Sequence, residues 1–261
     1  MTASSDSPPG SRLLVGVDDT DNLESKGTGN LAQRLVEVLR EAGLGSASGV
    51  TRHQLLVDPR IPYTSHNSSA CIAWNGKPGV DADAIALVAG PFLETASARG
   101  SDPGLAIAAA ASWSDPRCRH ELVDWGRRAK HDVLDRSEAV ARAAACAVSL
   151  SAHGGDGGGV IGALAALGLH QDGDDGRFLW MPGLRDLAGR VTYDQLRSRA
   201  PIDVARDPAG QEPKGDDIID LGEWVRPVLR ESRSVLLLAA RPGGVRVATW
   251  TVLPRDAVKA L

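Results

Sequence analysis

"LLVGVDDTDNLESKGTGNLAQRLVEVLREAG" (residues 13–43) changes period twice within one stretch. "LLVGV" (13–17) is a short apolar run of the kind that forms a buried strand. "NLAQRLVEVLREAG" (30–43) places its apolar residues at helical spacing and stops at Gly43. Working outward, "GVTRHQLLV" (49–57) alternates as a strand, and "SACIAW" (69–74) follows the Pro-punctuated "DPRIPYTSHNS". A helical segment covers about 81–97, and "GLAIAAA" (104–110) reads as a strand. The order βαββαβ predicts a ferredoxin-like arrangement within an α+β or α/β chain.

Beyond it, residues 117–150 have a helical pattern ending in the Ala-rich "SEAVARAAACAVSL". "SAHGGDGGG" (151–159) breaks regular structure, and "VIGALAALG" (160–168) resumes as a short apolar helix ending at a glycine. "APIDVARDPAGQEPKGDD" (200–217) has the composition of a linker or long loop. The tail at 224–254 reads as strands joined by the turn "RPGG". These breaks divide the chain into a polar leader (1–12), an α/β half (13–116), a helical half with a glycine-rich loop (117–199), and a linker with a small C-terminal β segment (200–261).

Composition narrows the function classes. With 261 residues and 43% apolar content the chain builds a real core, and a net charge of −4 offers no bulk electrostatic footprint for nucleic acid. Only a local basic patch reverses that. Cys71, Cys118 and Cys146 form no CxxC pair, so neither a zinc site nor a disulfide framework is indicated, and a reducing cytoplasm is expected. The polar start carries no export signal, and no apolar run is long enough for a membrane span.

Three stretches carry candidate chemistry. Asp18, Asp19 and Asp21 crowd the end of a buried strand, where open α/β layers place ligands. Carboxylates ionised together call for a cation, and hard oxygen donors suit Mg²⁺; equally, Asp in a turn initiates that turn or caps a helix. Leu23 stands where a calcium loop wants Asp or Asn, which disfavours an EF-hand. Gly27, Thr28 and Gly29 then lead into the helix and open its N-terminus to an anion. In "HGGDGGG", Gly154, Gly155, Gly157, Gly158 and Gly159 surround Asp156 ahead of an apolar helix, a nest suited to phosphate or simply a mobile loop. Tyr63, Thr64, His66 and Asn67, with Arg60, are candidate pocket residues between two strands. No GxSxG or HExxH motif supports hydrolase chemistry.

Taken together and in order, "GVDDTDN" (16–22), "IPYTSHNSSA" (61–70), "DPG" (102–104), "GGGVIGALAALG" (157–168) and "TYDQL" (192–196) resemble the archaeal 2-agmatinylcytidine synthetase family, whose members modify an isoleucine tRNA. That family shows "GIDDTDS", "IPY", "NPG", "GRGLIGA" and "TYEL" in the same order. The resemblance covers roughly residues 13–200. It implies a kinase-like catalytic region that uses ATP and Mg²⁺ to phosphorylate a carbonyl oxygen, which an amine then displaces. It further implies that Asp18, Asp19 and Asp21 hold metal and phosphates and that the loop at 154–159 lines the same site.

The chain departs from the family twice. The family turn carries "CTT", with a threonine that becomes phosphorylated, where this chain has "GTGN". The family's OB-fold and zinc ribbon have no counterpart here. The expectation is therefore a cytoplasmic ATP-using enzyme with a small or nucleoside-like substrate, acting on tRNA only with a partner chain. The alternative is a nucleotide-binding regulatory protein without turnover.

Overall fold

The computed structural model describes residues 11–61, 67–241 and 249–259. The expected leader falls almost wholly outside them, as does most of the "RPGG" turn. Two compact units divide at Asp172 and Gly173.

The first unit follows the anticipated order: β1 (Arg12–Asp18), α1 (Thr28–Glu41), β2 (Gly45–Gln54), β3 (Ser68–Gly76), α2 (Ala82–Ala96) and β4 (Gly104–Ala109). Then come α3 (Ala110–Ser114), α4 (Pro116–Arg128), α5 (Arg136–Ala145), β5 (Ser149–Ala152) and α6 (Val160–Asp172). The strands pair antiparallel in the order β5-β4-β1-β3-β2. Because successive side chains of a strand point to opposite faces, Leu14, Gly16 and Asp18 share one face of β1. Leu14 belongs to the core built with α4, α5 and α6, so the same parity turns Asp18 toward α6. The mixed α/β expectation holds at this level.

Two local expectations are corrected. α6 does not stop at Gly168 but runs to Asp172. Gly168 is a crossing point, where an added Cβ would lie 1.8 Å from the carbonyl oxygen of Leu122 on α4. A glycine inside a helix costs about 1 kcal/mol in propensity, and here it permits backbone contact between two helices. α6 is apolar all round and buried from Gly162 to Leu169, as suits a central helix. The helical pattern expected up to residue 150 ends earlier, because Ser149–Ala152 pairs with β4 as an edge strand and takes in the first two residues of "SAHGGDGGG".

The second unit comprises β6 (Arg177–Trp180), β7 (Arg190–Thr192), α7 (Tyr193–Arg199), β8 (Val204–Arg206), β9 (Ile218–Asp220), β10 (Val228–Arg230), β11 (Arg233–Arg241), β12 (Thr249–Val252) and α8 (Arg255–Lys259). Its core gathers Phe178, Leu196, Ile219, Leu236 and Trp250. The segment expected as a linker contributes β8, which runs parallel to β11, with Ile202, Val204 and Ala205 buried. Its Pro- and Gly-rich composition masked a strand three residues long. Among the described residues no helix is long and apolar enough to cross a membrane.

Candidate functional site

The acidic turn sits where β1 ends. Asp18 is the last residue of the strand and pairs with Gly104, the first of the antiparallel β4. That pairing brings Asp102, just ahead of β4, to the same sheet edge. Asp19 adopts a left-handed backbone (φ 48°), an uncommon conformation for a residue with a Cβ and one that clusters at functional sites.

α6 closes the site from the other side. Its N-terminal turn approaches so closely that a Cβ on Gly162 would lie 1.7 Å from Asp18 Oδ2, and one on Gly159 would lie 2.1 Å from the Asp102 carbonyl oxygen. The positive end of a helix of 13 residues therefore faces the carboxylates.

A cavity of about 180 Å³ opens here. Asp18, Asp19, Asp21, Asp102 and Asp156 line it together with Gly158, Gly159 and Gly162. Leu55, Ile61, Val133, Leu134 and Ile161 form an apolar wall, with Arg60, Asn67, Ser68 and Asp132 among the polar residues. Arg60 is held away from free service by a bidentate pair with Asp58 (2.8 Å to each oxygen). That pairing keeps the Asp58 carboxyl low, at about 2.

The carboxylates sit far from their ordinary range. Burial, followed by repulsion from Asp19 and Asp21, pushes Asp18 up to about 7, although its oxygen accepts the Asp19 N–H. Burial and then the charge of Asp102 push Asp19 up to about 6, with the Asp102 N–H as a partial offset. Asp102 is raised by burial and by its hydrogen bond with Asp156; Asp156 is held low by that bond and by the Gly158 N–H at 3.0 Å. Burial and mutual repulsion at Asp18 and Asp19 favour a bound cation or protons there, whereas Arg136 lies near enough to Asp156 to help keep it ionised. Among the described residues no three His, Cys, Asp or Glu side chains converge as a ready-made metal cage. Mg²⁺ does not require one, since it is bound through one or two carboxylates with phosphate oxygens and water.

The sequence-expected residues distribute unevenly around this cavity. Asp18, Asp19, Asp21, Gly158, Gly159 and Asn67 line it. Gly154 and Gly155 line an adjoining cleft with Glu94, Arg99 and His153, and Asp102 lines both. Gly157 packs against the Arg136 side chain instead. Gly27, Thr28 and Gly29 are not lining residues: the Thr28 hydroxyl is buried, donates to Asp21 Oδ1 at 2.9 Å, and accepts from the Thr20 hydroxyl at 3.1 Å. Thr28 thus braces the acidic turn at the first position of α1. Tyr63, Thr64 and His66 lie outside the described residues. Asp132 and the Val133–Leu134 wall were not singled out from the sequence, and Asp102 stood out only as part of the motif "DPG" (102–104), without a role. The signal for Asp102 was available, because a βαββαβ order places the end of the first strand beside the start of the fourth.

No family model matches the chain, and no curated protein matches it. Solved structures do. Over 60% of its length the chain is similar to TiaS, a tRNA agmatidine synthetase, in its complex with an isoleucine tRNA and ATP, at 25% identity and a TM-score of 0.50. It is likewise similar to a tRNA fluorescent labelling enzyme, at 27% identity and a TM-score of 0.50. In both cases the match spans 36% of the solved chain, about a third of its length. The likeness seen in the sequence motifs is therefore present in the fold.

Proposed function

We propose that this chain is an ATP-using synthetase of the agmatidine synthetase type, in which the first unit activates a carbonyl-type oxygen by phosphorylation for attack by an amine. One observation carries the reading: the acidic turn and the N-terminal turn of α6, distant in sequence, form one cavity lined by carboxylates and glycines. In this reading the β4-β1-β3-β2 sheet with α1 and α2 is the ferredoxin-like part, and the glycine loop with the helices after α3 is the kinase-like part.

Each residue then has a task. Asp18 and Asp19, with Asp21 beside them, hold Mg²⁺, which when bound neutralises charge on the phosphates. The Gly158–Gly159 turn lets phosphate oxygens approach the backbone without a side chain intervening, and the α6 dipole adds favourable potential there. The apolar wall of Leu55, Val133, Leu134 and Ile161 takes the ring of the acceptor or of the nucleotide and excludes water. The acceptor oxygen bonds to phosphorus as ADP leaves. The amine then adds at the activated carbon, and phosphate leaves with the oxygen as the amine loses a proton. The protein's contribution is mainly positioning and electrostatics, as in phosphoryl transfer generally.

The acceptor is proposed to be small or nucleoside-like. A second reading, a tRNA substrate held with the help of a partner chain, is favoured by the tRNA present in the similar TiaS complex. The experiment is incubation of the purified chain with Mg²⁺, ATP and a primary amine, with cytidine or tRNA as the carbonyl donor. Chromatography of the nucleotides reads the result. Acceptor-dependent ATP consumption supports the proposal, and the donor that elicits it separates the two readings. Binding of ATP with no consumption under any condition identifies a nucleotide-responsive binding protein instead.

A further inference from the structure

Cys118 and Cys146 are distant in sequence and line no part of the acidic cavity, yet they meet. Cys118 lies in the first turn of α4 and Cys146 is the C-cap of α5. The two helices form an antiparallel hairpin: Arg128 pairs with Glu138 at 2.5 Å near its closed end, and Arg142 with Glu121 at 2.8 Å further along. At the open end Cys118 Sγ donates to the Ala145 carbonyl oxygen at 3.7 Å, and Cys146 Sγ donates to the Cys118 carbonyl oxygen at 3.9 Å. Both residues are buried, but a cleft of about 220 Å³ lined by Arg117, Glu121, Glu138 and Arg142 reaches Cys146 and gives a small oxidant a route.

We propose that Cys118 and Cys146 form a redox modification site that closes to a disulfide under peroxide. One sulfur, losing its proton, attacks a peroxide oxygen; the O–O bond breaks, and the products are a sulfenic acid and one water. The second sulfur attacks the sulfenic sulfur, the S–S bond forms, and a second water leaves with the remaining thiol proton. Two thiols are oxidised and one peroxide is reduced to two waters. Each sulfur already lies against the backbone at the facing helix end, at 3.7 and 3.9 Å, which sets the two side chains to close the open end of the hairpin.

Burial pushes the Cys146 thiol up to about 12, and a neutral thiol is a poor nucleophile, so the pair responds to sustained rather than brief oxidation. Closure staples the hairpin at the end opposite residues 129–134, the loop that supplies Val133 and Leu134 to the cavity. Cys71 is wholly buried within β3 and stays reduced.

The test treats the full chain with millimolar peroxide, then alkylates it under denaturing conditions for intact-mass and peptide analysis. The expected result is one alkyl group, on Cys71, instead of three, with a Cys118–Cys146 cross-linked peptide that disappears on reduction. The thermal midpoint should rise on oxidation and return with reductant. Cys118→Ser and Cys146→Ser should each keep two alkylatable thiols. Three free thiols after peroxide, oxygen adducts without a cross-link, or a cross-link that includes Cys71 would overturn the proposal. All three of those outcomes are read on the wild-type chain, so a poorly folding variant does not blunt the test. None depends on ATP binding, so the outcome is independent of the proposed function.

Discussion

Two clusters of buried polar groups lie in the first unit, and they are built on opposite principles. Between β2 and α6, Thr51 bridges two histidines: its hydroxyl lies 2.8 Å from His53 Nε2 and 2.9 Å from His170 Nδ1. Burial, then His53, pushes His170 down to about 3, so it is neutral, and a neutral imidazole offers one donor and one acceptor for this network. That cluster is closed by its own hydrogen bonds. At the end of β1, by contrast, Asp18 and Asp19 are held well above the usual carboxylate range by burial and mutual repulsion. A satisfied polar core stabilises one structure, whereas a carboxylate cluster short of counter-charge is stabilised by what binds it.

The largest effect expected from that contrast is on turnover. Asp18→Asn or Asp19→Asn should lower Mg²⁺-dependent ATP consumption by about 10³-fold, on the order of 4 kcal/mol in the barrier. Thr51→Val should leave it unchanged, as steady-state kinetics will show.

The pH dependence of stability follows next. The native pKa values of Asp18 and Asp19 lie above the ordinary 3.8, so the folded state retains protons that the unfolded state releases. Stability contributed by these groups is therefore full below about pH 4 and lost as pH rises to about 7. Asp18 alone accounts for an upper bound of about 4 kcal/mol. Urea melts across that range should show the decline in the wild type and a flatter profile for Asp18→Asn, with Mg²⁺ and ATP restoring stability only to the wild type.

Smaller effects test the scaffold. Gly168→Ala forces a methyl group against the α4 backbone and should cost about 3 kcal/mol by denaturant midpoint. Thr51→Val removes the hydroxyl that the two histidines share and should cost about 2 kcal/mol. Arg60→Ala, at the exposed Asp58 pair, should leave the melt unchanged and alter only ligand affinity.

Much of this arrangement was legible in the sequence. The change of period from "LLVGV" to "NLAQRLVEVL" set β1 and α1 on either side of the acids. Asp18, Asp19 and Asp21 stand out because acids after an apolar run are a local signal, and the structure places all three on the cavity. What stayed hidden was non-local. Asp102 enters through antiparallel pairing of β4 with β1, and Val133 and Leu134 enter through the return of a helical hairpin. Gly168 looked like a helix stop because one glycine reports either a terminus or a close crossing, and only the packing partner distinguishes them. Thr28, expected beside an anion, has its hydroxyl turned onto Asp21, a contact that no local pattern announces.

The central claim is that the acids at the end of β1 bind a nucleotide through a divalent cation. Calorimetric titration of the wild-type chain with ATP, with and without Mg²⁺, tests it most directly. Saturable binding with Mg²⁺ is expected, weakening by at least about 100-fold without it, and equally in Asp19→Asn. ATP binding of equal strength with and without Mg²⁺, or no binding to the wild type at all, would contradict it.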